Sequence, residues 1–250
     1  IAAEILAIRI RTNEHISDIN VQLNDTISSV KISQLADDKT LFLGTEQDVH
    51  RSMNEIETFG KFSGLMLNKE KTEGLWIGNL KHSTNKICDI NWPQKPIKAL
   101  GIYFGNNKLE CNEMNWNSKI EQCKAVISAW AKRKLTFYGK IQIIKTLLIP
   151  KLTYAIHALV VPKSVTLEVN KIIFNFLWDG KKEKNKRTTL IGNKANDGIE
   201  MIDSEFYTIS IKSKGIRTLI NNKHANWKLI PKYALKKIGD NFLIFTMQID

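Results

Sequence analysis

The sequence predicts an α+β protein: antiparallel strands with helices come first, and basic helices follow. Three observations carry this. Apolar and polar residues alternate through "NVQLNDTISSVKISQLADDKTLFLG" (20–44), with turn residues interrupting them. From Asn115 onward, Trp116, Ile120, Cys123, Ile127 and Trp130 recur at helical spacing, with Lys119 and Lys124 among the polar positions between them. The 250 residues are 43% hydrophobic, enough to bury a sizeable core as one large domain or two smaller ones.

In chain order, "IAAEILAIRIR" (1–11) sets Ile1, Ile5 and Ile8 at helical spacing and reads as the end of an amphipathic helix. Asn24-Asp25 marks a turn, Val30 and Ile32 alternate with polar residues, and Leu41-Phe42-Leu43 is a buried-strand run. Ala36-Asp37-Asp38-Lys39 falls at the turn between these strands. Val49, Met53, Ile56 and Phe59 give one helical face over 46–62. "SGLMLNKEKTEGLWIG" (63–78) is expected to turn at its glycine and continue with strand character, and "PIKALGIYFG" (96–105) is a second short strand group. After the long helix beyond Asn115, another is expected over 138–148, ending at Pro150 because proline lacks the N–H a helix needs. A third covers roughly 165–178, before the tract "KKEKNKR" (181–187) with five basic residues and one acid.

Lysine and arginine outnumber acids by 37 to 25, a formal net charge of +12, which points to a polyanionic partner, nucleic acid first. A merely soluble basic protein fits the same composition. Cys88, Cys111 and Cys123 are odd in number, far apart and without a C-x-x-C pair, so neither a disulfide framework nor a zinc site is expected, and a reducing, intracellular compartment fits. No apolar run approaches the roughly 18 residues of a membrane helix, and a signal peptide is not expected. The first residue is Ile1, which reads as a fragment or a processed product.

Asp37 and Asp38 raise the chemical question. Two adjacent carboxylates repel, and a divalent cation between them reverses that. Mg2+ takes hard oxygen ligands and keeps positions open for phosphate, and paired ions support nucleotidyl transfer. A solvated hairpin tip explains the same dipeptide.

The surroundings add a resemblance. "QLADDKTLFLG" (34–44), "FGKFSGLMLNKEKTEGLWIG" (59–78) and "ALGIYFG" (99–105), in this order and spacing, resemble the reverse transcriptases of non-LTR (LINE-type) retrotransposons. "WAKRKLTFYGKIQIIKTLLIPKLTYA" (130–155) resembles that family's thumb, and "FNFLWDGKKEKNKRTTLI" (174–191) with "GIEMID" (198–203) resembles the stretch after it. The resemblance covers almost the whole chain and weakens after about residue 205. It implies a partial polymerase palm over 1–105 (an antiparallel sheet with helices), a helical thumb over 106–165 and a basic helical extension over 166–250.

It also implies roles. Asp37 and Asp38 match the metal-binding pair of polymerase motif C, with Mg2+ as the ion and Mn2+ as its alternative. Ser63, Gly64, Leu65, Asn68, Lys71 and Thr72 match motif D; Lys71, with Lys69 second, would assist pyrophosphate departure as a proton donor or a charge, or be a surface cation. Leu100 and Gly101 match motif E, which holds the primer end; Gly101 permits a close backbone approach or makes a bulge. Lys132, Arg133, Lys134, Lys140 and Lys145 become candidate phosphate contacts, as do Lys181, Lys182, Lys184, Lys186 and Arg187 if that tract is more than a solvated loop. Trp116, Trp130, Phe137 and Tyr138 read as core rather than base-stacking platforms. The implied partners are an RNA template, a DNA primer or target and, in the full-length enzyme, dNTPs, with no membrane and with nuclear work implied by the family's target-primed insertion.

The chain departs from the family's pattern at Leu35, where an aromatic residue is usual, and at Lys39, a cation able to pair with Asp38. Asp197 stands where a second glycine is usual, which weakens the case for a close backbone turn there. The third carboxylate, from motif A, and the fingers would lie before Ile1. Two carboxylates without the third should bind Mg2+ poorly, so this chain is expected not to polymerise by itself. A nucleic-acid-binding remnant without catalysis is the alternative, and a relic without function a third.

Overall fold

The structure, a computed structural model, describes residues 2–17, 19–23, 26–193, 195, 198–221, 226–228 and 231. The chain divides into two compact units, one formed by Ile1–Asn106 with Asn222–Asp250 and the other by Asn107–Asn221.

The first unit opens with helix α1 (Ala2–Thr12), followed by β1 (Ile19–Leu23), β2 (Thr26–Val30), β3 (Ile32–Leu35) and β4 (Asp38–Leu41). Helix α2 (Glu46–Ser63) comes next, and β5 (Ile97–Ala99) and β6 (Ile102–Phe104) close the unit. The α+β expectation holds. The expected single antiparallel sheet does not form: β1–β2, β3–β4 and β5–β6 are separate two-stranded hairpins. Strands of three to five residues give each hairpin one short ladder, with no third strand among the described residues.

Helix α2 organises the core of this unit. Thr45 and Asp48 form a capping box at its start, and Gly64, at φ 73°, ends it in the left-handed region. One face meets Leu6, Ala7 and Ile10 of α1 with Ile32 of β3; another carries Val49 and Met53 against Trp76, Ile87 and Ile90. The buried stripe of α1 is therefore not the expected one, since Ile5 and Ile8 are each 48% exposed. Ile1 lies outside the described residues.

The segment after α2 is also not a strand. Asn68 caps a 3₁₀ turn over Lys69–Lys71, and a lone bridge joins Glu73 to Asn91. The Trp76 and Trp92 rings stack 4.2 Å apart, and a Cβ on Gly74 would come within 2.5 Å of Trp92. Packing of this indole pair overrides the strand-like composition.

The second unit holds α3 (Lys108–Ala131), α4 (Phe137–Ile143), α5 (Ile149–Ala158), α6 (Lys163–Leu177), α7 (Arg187–Ile191) and α8 (Ser204–Ile220). Asn107 caps α3, which starts earlier than its apolar stripe suggested. Trp116, Ile120 and Cys123 share one core with Ile144, Leu148, Leu152, Val169, Ile173 and Phe174. That core runs to Met201, so the boundary expected at 165/166 falls inside it, on α6.

Pro150 does not stop its helix. Ile144–Leu148 form a π turn that joins α4 to α5, and the chain stays helical to Ala158. The wider turn absorbs the proline ring and the missing donor. Beyond α5, Lys212 donates to the carbonyls of Leu159 (2.8 Å) and His157 (3.3 Å), closing the helix end, and burial pushes its ammonium pKa down. Among the described residues, no helix is long and apolar enough to cross a membrane.

Candidate functional site

The β3–β4 hairpin pairs Leu35 with Asp38, so the loop is two residues, Ala36 and Asp37. Ala36 sits at φ 51°, the left-handed value that such tight turns demand at their first loop position. The turn is thus shorter than the expected four residues, with Asp38 already in β4. Asp37 and Asp38 are both exposed at this tip. Their oxygens are the donor type that Mg2+ prefers. Among the described residues, no group of three His, Cys, Asp or Glu could hold a metal ion. Leu35 is 62% exposed beside the pair, and Lys39 makes no ion pair with Asp38.

The motif D residues are tied into local structure. Ser63 donates to the Phe59 carbonyl at 2.8 Å, Asn68 accepts from the Lys71 amide at 3.1 Å, and Thr72 donates to the Asn68 carbonyl at 2.7 Å. Leu65 is half exposed. The Lys71 side chain is exposed, whereas Lys69 pairs with Glu57 at 3.7 Å. Leu100 and Gly101 form the two-residue turn between β5 and β6, at φ 49° and 78°. Gly101 is therefore a hairpin-turn glycine rather than a bulge, and Leu100 carries left-handed strain.

In the second unit Lys132, Arg133 and Lys134 lie exposed in the α3–α4 loop, with Arg133 over the Trp130 ring at 4.4 Å. Lys145 is half-buried. Lys140 is not available for phosphate: its side chain is 8% exposed, pairs with Asp179 at 2.5 Å and donates to the Leu177 carbonyl at 3.4 Å. It lies on the same stripe as Ile144 and Leu148, four and eight residues on, which is the signal that could have placed it inside. Arg187 is likewise committed, to Glu183 and to the Phe174 ring at 4.3 Å. That ion pair lowers the Glu183 carboxyl pKa and raises that of the Arg187 guanidinium. Lys181, Lys182, Lys184 and Lys186 are exposed and pair with no described acid. Trp116 is buried, Trp130 and Phe137 are partly so, and Tyr138, expected in the core, is 69% exposed.

Two features escaped the reading above, although Thr45-x-x-Asp48 is a capping-box pattern that could have marked the first of them. Asp48 is fully buried and accepts from the Ser17 and Thr45 amides, both at 3.1 Å, and from the Thr45 hydroxyl at 2.7 Å. Cys88 Sγ lies 3.4 Å from His50 Nδ1. Burial, with Glu57 and Asp89, pushes that thiol pKa up against the opposing pull of Lys69, which makes it a poor nucleophile.

Asp197 lies outside the described residues. The next residue, Gly198, is described, and a Cβ on it would fall 2.0 Å from the Gly192 carbonyl oxygen.

The arrangement is an exposed carboxylate pair on one compact unit and clustered lysines on the other, able to meet a cation and a polyanion respectively. No family model matches the chain. The chain is similar to the uncharacterized 149 kDa protein of transposon TX1 from Xenopus laevis, 25% identical over 191 residues, which are 73% of this chain and 14% of that protein. It is also similar to an Arabidopsis thaliana protein named provisionally as a ribonuclease H protein, 21% identical over 137 residues, 52% of this chain and 22% of that protein. The chain therefore spans less than a quarter of the length of either relative.

Proposed function

We propose that this chain is the C-terminal palm and thumb portion of a reverse transcriptase from a non-LTR retrotransposon, acting on an RNA template, a DNA primer or target and dNTPs in the full-length protein. The observation that carries the reading is the β3–β4 hairpin, which presents Asp37 and Asp38 side by side and exposed at its tip. The ordered motifs around it and the similarity to a transposon protein support it. Asp37 and Asp38 would hold Mg2+, or Mn2+, with a third carboxylate from preceding sequence. Bound there, the ion would neutralise developing charge on the triphosphate. Lys71 would place an ammonium near the departing pyrophosphate, and Leu100-Gly101 would support the primer end. The exposed lysines of the second unit would hold the nucleic-acid backbone.

The test is primer extension by a version extended upstream through the third carboxylate. Mg2+-dependent extension that Asp37→Asn abolishes supports the reading, and extension that survives this change refutes the assigned role. A second reading, nucleic-acid binding without polymerisation, rests on the exposed lysines at 181, 182, 184 and 186 of the second unit. Salt-sensitive binding by the extended version with no extension would select it.

A further inference from the structure

Two anchors flank the basic tract of the second unit. On its N-terminal side, α6 ends at Leu177, and Asp179 and Gly180 take φ 53° and 71°. Gly180 donates to the Asn175 carbonyl at 2.9 Å and Lys181 to the Trp178 carbonyl at 2.9 Å, which turns the chain sharply. Lys140 reaches from α4 to bind Asp179 and the Leu177 carbonyl. On the C-terminal side, the Arg187 guanidinium packs over Phe174 and grips Glu183 with two nitrogens. The loop is thus pinned at 179, 183 and 187, and its remaining cations, Lys181, Lys182, Lys184 and Lys186, face no described acid. A second basic loop ends beside this one: the Phe137 ring lies 5.2 Å from the Trp178 ring, and Lys132 and Lys134 stand five and three residues before Phe137.

We infer that residues 181–186 form a pre-shaped phosphodiester-binding loop in which the four lysines contact the backbone, while Lys140 and Arg187 are positioning residues that do not. This rests on the nucleic-acid reading above and deepens it. The physical reason is that four flexible lysines lose rotamer freedom on binding, and fixing their backbone beforehand reduces that loss. Asp179 and Glu183, though acidic, would then promote binding to a polyanion.

That consequence has the opposite sign from simple charge counting. Glu183→Ala makes the tract more positive by one charge. Charge counting predicts tighter binding and a steeper salt dependence, and the clamp predicts weaker binding. The measurement is fluorescence anisotropy on the 250-residue chain with a single-stranded RNA and an RNA–DNA hybrid, titrated at several salt concentrations. Changing all four lysines to alanine should lower the slope of log affinity against log salt by about 3, at roughly 0.7 to 0.9 per contact. Glu183→Ala should weaken binding about 3- to 10-fold with the slope unchanged. Arg187→Lys, which keeps the charge but loses the fork and the stacking, should behave like Glu183→Ala. Circular dichroism and thermal melts confirm that each variant is folded. Tighter binding by Glu183→Ala, or an unchanged slope in the four-lysine variant of a chain that does bind, overturns the inference and leaves the nucleic-acid reading standing. A wild-type chain that binds neither probe overturns both.

Discussion

Gly198→Ala should be among the most damaging single methyl additions in the chain. Gly198 runs against Gly192, and an added Cβ would sit 2.0 Å from its carbonyl oxygen and 2.2 Å from its carbonyl carbon. The strap formed by residues 198–201 must retreat by about 1.4 Å to restore an ordinary contact of 3.4 Å, and the obstacle is backbone rather than a side chain that can rotate away. Retreat strains the bonds that fasten the strap: Gly198 N–H to the Asn193 carbonyl at 3.0 Å, Glu200 N–H to Gly192 at 3.0 Å, and Met201 N–H to Leu190 at 2.9 Å. It also pulls on Met201, which is buried in the helical core. Losing two such bonds at about 0.5–1.5 kcal/mol each, with part of a buried methionine's roughly 1.5–3 kcal/mol, gives about 2–4 kcal/mol of destabilisation. Gly215→Ala is the matched control. A Cβ there meets nothing within 4 Å on helix α8, so the same change should stabilise by about 0.5–1 kcal/mol. Urea unfolding of both variants measures the difference. A loss below about 1 kcal/mol for Gly198→Ala at unchanged denaturant slope would refute the close-approach argument.

Three further outcomes are expected. Burial alone would raise the Asp48 pKa, but the Thr45 hydroxyl, the Ser17 and Thr45 amides and Arg51 outweigh it, so the carboxyl titrates below its ordinary value. Its stabilising contribution is then full above the unfolded pKa near 3.9 and lost as pH falls through the lower folded value, so melting temperature should drop below about pH 4 in wild type and more shallowly in Asp48→Asn. Leu100→Asn should stabilise by up to about 1 kcal/mol in chemical denaturation, because asparagine tolerates the left-handed turn where Leu100 sits at φ 49°. Cys123 is buried and its thiol pKa is pushed up to about 11, so a thiol reagent should label the more accessible Cys88 slowly in the native chain and Cys123 only on unfolding.

What the sequence made legible was local. The hairpin around Asp37-Asp38 follows from a polar tip between apolar runs, and the stripe from Trp116 to Cys123 follows from helical spacing. What it concealed was set by contacts distant along the chain. Nothing local says that Lys140 finds Asp179, thirty-nine residues away, or that Trp76 stacks on Trp92 and dissolves the expected strand. The π turn before Pro150 escaped for a related reason: a proline normally breaks a helix, and only packing of Ile144 and Leu148 in a shared core holds the wider turn in place. In α1 the spacing was right and the face wrong, because Ile5-Ile8 and Leu6-Ile10 are both apolar stripes and only β3 and α2 decide between them.

The same distinction orders the candidate chemistry. A count of cations treats Lys140 and Arg187 as equivalent to Lys182 or Lys184, yet burial sets Lys140 apart, and the Glu183 pair with the Phe174 ring sets Arg187 apart. Lys140 is 8% exposed and its partner Asp179 is 62% exposed, so the pair is lopsided. Removing Asp179 strands an ammonium inside the unit, whereas removing Lys140 leaves a carboxylate that water already solvates. Asp179→Gly, which keeps the left-handed backbone, should therefore cost more stability than Lys140→Met, which replaces a buried stem with an apolar one of similar length. A urea comparison in which Lys140→Met is the more damaging change would mean that Lys140 contributes through its charge at the α6 terminus, and it would no longer be a residue whose task is to hold Asp179. The carboxylates of the β3–β4 hairpin belong to the other compact unit. Loss of extension in an Asp37 variant and loss of binding in a Glu183 variant then test two different proposed roles.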